Sequence, residues 1–101
     1  MRKKLFYKLE GNEAIPVENM EDWLVSFKGR DRKVKSTTIG EVYVSTVFLG
    51  LDHSHTEKGL PILFETMIFG GKHDGYQKRY ETWAQAEAGH EQAVEKVNGT
   101  D

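Results

Sequence analysis

Three short stretches of this chain carry the residues able to do acid–base or metal chemistry. The first is Gly50-Leu51-Asp52-His53-Ser54-His55, which sets one carboxylate and two imidazoles within four positions. Such donors suit a borderline divalent ion such as Zn²⁺. Residues two apart on an extended segment point the same way, so His53 and His55 are able to chelate together. The competing reading is a polar turn. Asp52 directly after Leu51 is what a turn requires, because its carboxylate caps nearby backbone amides. Thr56, Glu57 and Lys58 continue the polar run. The turn is the expectation, and no metal is assigned.

The second stretch is Leu60-Pro61-Ile62-Leu63-Phe64-Glu65-Thr66-Met67-Ile68-Phe69-Gly70-Gly71, where Glu65 interrupts an apolar strand. Alternation puts Leu63, Glu65, Met67 and Phe69 on one face and Ile62, Phe64, Thr66 and Ile68 on the other. Glu65 then either lies on a solvated sheet face or is a buried acid with a raised pKa. The first case leaves Met67 and Phe69 as an apolar patch suited to a partner or a second copy. The second makes Glu65 the best catalytic candidate.

The third is His90, on the otherwise apolar side of the last helix with Ala86, Val94 and Val97. A buried imidazole without partners costs about 1–3 kcal/mol. His90 is therefore expected to bond a backbone carbonyl or a carboxylate, with Asp52 or Glu65 in reach if the helix crosses the central hairpin. The functional alternative makes His90 and such a carboxylate a general acid–base pair in a pocket. Gly89 suits close helix–sheet approach, despite a cost of about 1 kcal/mol in a helix interior.

Other signals are negative. Phe69-Gly70-Gly71-Lys72-His73-Asp74-Gly75 is glycine-rich but lacks the phosphate-loop pattern. There is no Gly-x-Ser-x-Gly elbow and no zinc-protease helix. The absence of cysteine excludes disulfides, thiolate zinc sites and cysteine nucleophiles.

The elements that must position these residues follow from periodicity. Lys4 to Glu10 reads as a strand, Gly11-Asn12-Glu13 as a turn, and Ala14 to Val17 as a return strand whose Pro16 favours an edge. Asn19 caps a helix from Met20 to about Lys28, with Met20, Trp23, Leu24 and Phe27 on one core-packed face. Strands are expected at Val34–Ile39, Glu41–Leu51, Leu60–Gly70 and Tyr76–Glu81. Thr82 and Gln85 form a capping box for a helix from Trp83 to about Val97, closed at Asn98-Gly99. The order β-β-α-β-β-β-β-α predicts one α+β domain over residues 1–101. Its antiparallel sheet has about five to six strands, with both helices on one face.

The 101 residues leave no room for a second sizeable core. No apolar run reaches the roughly 20 residues needed to cross a bilayer, and the start lacks the uncharged core of a signal peptide. Net charge is −2, with an excess of three Lys/Arg in residues 1–35 and of four Asp/Glu in residues 81–101. That asymmetry falls short of the basic excess of a nucleic-acid binder.

The blocks VSTVFLGLDH (Val44 to His53), LFETMIFGG (Leu63 to Gly71) and RYETWAQAEAGH (Arg79 to His90) together resemble a family of small uncharacterised phage, prophage and bacterial proteins. The resemblance covers the C-terminal two-thirds and implies a viral or mobile-element origin, but no mechanism. Asp52, His53, Glu65 and His90 fall on matching positions. The loop after Asp-His is often glycine-rich in the family; here it reads Ser54-His55-Thr56-Glu57-Lys58, which weighs against a His53/His55 chelate. The expectation is a cytoplasmic, phage-type accessory protein. It would act as a non-enzymatic, homo-oligomeric binding module for a host protein or small ligand, without cofactor. The alternative is a small metal-assisted or acid–base enzyme using Asp52, His53, Glu65 and His90.

Overall fold

Residues 5–27, 32–54 and 59–99 are described by the computed structural model. Strands β1 (Phe6–Glu10) and β2 (Glu13–Val17) form an antiparallel hairpin. Helix α1 (Met20–Phe27) follows, capped by the Asn19 Oδ1 that accepts from the Asp22 amide at 2.9 Å. Its Trp23 packs on Phe6 of β1, ring centroids 5.5 Å apart.

Strands β3 (Lys33–Ile39), β4 (Val42–Phe48), β5 (Phe64–Phe69) and β6 (Gln77–Tyr80) make an antiparallel meander in chain order. The turn after β5 needs glycine: Gly70 has φ +90°, and a Cβ there would lie 2.8 Å from the Glu41 carbonyl oxygen. Helix α2 (Trp83–Gly99) starts at the expected capping box: Thr82 Oγ1 accepts from the Gln85 amide at 3.1 Å, and Gln85 Oε1 accepts from the Thr82 amide at 3.3 Å.

Alternation aims Val44, Thr46 and Phe48 of β4 and Phe64, Thr66 and Ile68 of β5 at α2, which returns Ala86, Gly89, His90, Ala93 and Val97. The core divides in two. Tyr7, Phe48, Leu63, Phe64, Tyr80 and Ala86 form one apolar cluster; Val44, Ile68, Ala93 and Val97 form the other. Thr46, Thr66 and His90 occupy the positions between them on their elements. No helix among the described residues is long and apolar enough to cross a membrane.

The α+β class and the element order agree with the sequence, while the single sheet and the common helix face do not. Among the described residues there are two sheets, of two and four strands. Gly50 takes φ +81° and ends the strand expected to reach Leu51, and β5 begins at Phe64, after Pro61, instead of at Leu60. A lone bridge, Phe6 to Leu51, with Tyr7 N–H donating to Gly50 O at 2.8 Å, ties the hairpin to the chain after β4. Helix α1 packs on this hairpin, whereas α2 alone covers the larger sheet. As a result Met20 and Leu24, expected in the core, are each 56% exposed. The side chain of Phe27 lies outside the described set.

Candidate functional site

One polar row crosses the helix-covered face of the larger sheet. Each strand supplies one hydroxyl, Thr37 from β3, Thr46 from β4, Thr66 from β5 and Tyr80 from β6, and α2 supplies His90. His90 is 0% exposed. Its Nε2 lies 2.9 Å from Thr37 Oγ1 and its Nδ1 2.8 Å from Thr46 Oγ1, and Thr46 continues the chain to Thr66 Oγ1. A neutral imidazole has one donor and one acceptor nitrogen, and hydroxyls rotate to match either, so both nitrogens are satisfied without a charge. Burial holds the His90 pKa below its ordinary value; Glu91 pulls it up and Lys35 pushes it down. Those two residues pair with each other at the sheet edge, and Lys35 keeps the Glu91 carboxyl below its usual range.

Tyr80 ends the row. Burial raises its pKa above the usual phenol value, and its hydroxyl, beside Thr66, forms no hydrogen bond of normal geometry. The ring is pressed against α2 at Gly89, where a Cβ would lie 2.1 Å from the hydroxyl and 2.2 Å from the ring carbon that bears it. The close approach anticipated at Gly89 is thus a contact with one specific ring.

The other candidates do not gather around His90. Glu65 faces the uncovered side of the sheet. There its Oε2 accepts from Arg79 Nε at 2.9 Å and from the Gln77 side-chain amide. Glu65 thus points away from α2, yet its side chain is only 12% exposed beneath these partners; adjacent Thr66, pointing the opposite way, is the residue that joins the His90 row. Asp52 Oδ1 accepts from the Ser54 and Ile62 amides, each at 2.9 Å, which is the turn-capping role. His53 is half-buried, and its amide donates to Ile62 O at 2.9 Å. His55 lies outside the described residues. Among the described residues no group of three or more His, Asp or Glu is placed to hold a metal ion. The partners expected for His90, Asp52 or Glu65, are replaced by Thr37 and Thr46 because the strand parity that buries Thr46 and Thr66 turns Glu65 outward.

Comparison with protein-family models, curated proteins and solved structures finds no match. The surface itself offers one further feature. A groove of about 410 Å³ runs between the β1–β2 hairpin and the start of α2. Its walls are Tyr7, Ala14 and Pro16 from the hairpin, Leu60, Pro61 and Leu63 from the approach to β5, Phe64, and Trp83 at the head of α2. Glu13, Glu81, Asn12 and Thr82 are the other described residues of the lining. Phe64 and Trp83 meet edge to face with centroids 6.2 Å apart. The Trp83 indole N–H is buried and lacks an acceptor. The groove has the size and mainly apolar wall of a ligand pocket.

Sequence reasoning reached neither the hydroxyl row nor the groove. Thr46 and Thr66 were visible as polar residues on inward, otherwise apolar strand parities, matching His90 on an apolar helix stripe. The groove had a subtler marker: Pro16 and Pro61, the only two prolines in the chain, both line it. Proline cannot donate to a sheet ladder, so neither segment readily recruits a neighbour to close the gap.

Proposed function

We propose that this chain is a non-enzymatic binding module. It is an accessory protein of the phage-related kind its sequence blocks resemble, acting in the host cytoplasm on a host protein or small ligand. The observation that carries the reading is the groove between the hairpin and α2. It is mainly apolar, and Leu60 on its wall is 56% exposed. The chemistry-bearing side chains are meanwhile engaged elsewhere: His90 by threonines, Glu65 by Arg79, and Asp52 by backbone amides. An acid–base enzyme would need two of them together at an open cleft.

Self-association belongs to the same proposal. On the sheet face away from α2, Tyr43 and Phe69 stack with centroids 6.1 Å apart, and half-buried Met67 and Val47 lie on the same face. The Glu65–Arg79 pair on that face is neutral, so it does not repel a second copy. Light scattering after size exclusion tests this: a dimer converted to a monomer by Phe69→Lys supports it, and a wild-type monomer refutes it.

The groove is tested with Trp83 as reporter in a Trp23→Phe variant, screened against small apolar fragments. Binders are expected to change Trp83 emission and to lose affinity with Leu60→Asp, a substitution at an exposed position. Binding that Leu60→Asp leaves untouched, or no binder at all, removes the reading.

A further inference from the structure

We infer that the groove takes a cationic side chain on an apolar stem, a lysine or arginine within an extended segment of a partner protein. The inference rests on the groove being a binding site. Among the described residues its lining contains two charged side chains, Glu13 and Glu81, and both are acidic. They come from opposite sides, Glu13 from the first residue of β2 and Glu81 from the residue before the Thr82 cap of α2. Among the described residues neither carboxylate has an ion-pair partner, in contrast to Glu10, held by Lys8 at 3.2 Å, and Glu65, held by Arg79. The groove therefore carries two negative charges that nothing on the described surface neutralises.

The chemistry between those charges fits the same occupant. Trp83 stands at the head of α2, and an indole is the aromatic surface that attracts cations best. Pro16, Leu60 and Pro61 supply apolar contact for methylenes, the arrangement by which Lys and Arg bury their stems and keep their heads polar. An acidic peptide would meet two like charges there. A neutral apolar peptide would leave both carboxylates partly desolvated and unpaired.

Calorimetry of the full chain with three synthetic peptides tests this. One has leucine and proline flanking a central lysine, one has norleucine in place of that lysine, and one has glutamate. The lysine peptide is expected to bind about fivefold tighter than the norleucine peptide, the yield of two modest exposed charge contacts. The glutamate peptide should bind weakest, and the lysine preference should shrink with added salt. In the Glu13→Gln/Glu81→Gln variant the lysine and norleucine peptides should bind alike. Equal affinity for all three in the wild type overturns the charge inference and leaves the groove reading standing. If no peptide binds and the fragment screen is also empty, both fall.

Discussion

Replacing Gly89 by alanine sets two well-calibrated effects against each other. In an open helix the change stabilises by about 1 kcal/mol, because glycine is the poorer helix former. Here the new methyl would sit 2.1 Å from the Tyr80 hydroxyl, 2.2 Å from Cζ and 2.3 Å from Cε1. Two ring carbons are involved besides the hydroxyl oxygen, so no hydroxyl rotation relieves the clash. The ring is 7% exposed and packed in the cluster of Phe48, Phe64 and Ala86, so either it swings out or α2 lifts from the sheet. Overpacking of this kind costs about 1–3 kcal/mol. Because α2 also carries His90, lifting it stretches the bonds to Thr37 and Thr46. Gly89→Ala is therefore expected to destabilise by up to about 2 kcal/mol once the propensity gain is subtracted. The sign should reverse in a Tyr80→Leu background, where the end of the ring is gone and alanine regains its helix advantage. Urea unfolding followed by tryptophan fluorescence gives the four stabilities of this cycle. A stabilising Gly89→Ala in the wild type, or additive effects, would refute the seating of Tyr80 against α2.

Four further outcomes and one control complete the set. Thr46→Val keeps the shape but strips His90 Nδ1 and Thr66 of their shared partner, so unfolding should cost about 1–3 kcal/mol less. Thr38→Val, on the exposed surface of β3, is the near-neutral control. Burial depresses the His90 pKa in the folded state, so the unfolded chain binds the extra proton first. Its contribution is complete above about pH 6.5, falls as pH drops below that value and levels off only beneath the folded pKa. His90→Gln, which keeps a donor and an acceptor but does not titrate, should flatten that part of the stability–pH curve measured by urea midpoints. Asp52→Ala should lower stability by about 1–3 kcal/mol through loss of the bonds from the Ser54 and Ile62 amides. Zinc should leave the melting temperature of the wild type unchanged; a zinc-dependent rise would revive the metal reading of Asp52, His53 and His55.

Local physics made most of the elements readable. The Asn19 and Thr82–Gln85 caps, the Ala86–His90–Ala93–Val97 stripe and the strand alternation each need only a few neighbouring residues to specify them. The division into two sheets was harder to see, because it turns on Gly50 adopting a left-handed φ and on Pro61 delaying β5, single-residue events inside apolar runs. The exposure of Met20 and Leu24 depends on what α1 lands on, which its own periodicity does not encode. At the site, residue type and alternation allow for the turn role of Asp52 and the outward face of Glu65. They do not indicate the partners of His90, since carboxylates are the more conspicuous acceptors and threonines in strands read first as β formers. The groove is a meeting of four separated segments, and no local pattern announces such a meeting.

The central claim is that this chain binds through the groove between its hairpin and α2. Amide chemical-shift mapping of the ¹⁵N-labelled protein with the lysine-bearing peptide tests it most directly. The account predicts saturable shifts gathered at Glu13, Ala14, Leu60, Thr82 and Trp83, abolished by Leu60→Asp. Shifts confined to the open sheet face around Tyr43, Met67 and Phe69, or no saturable shifts at all, would contradict it.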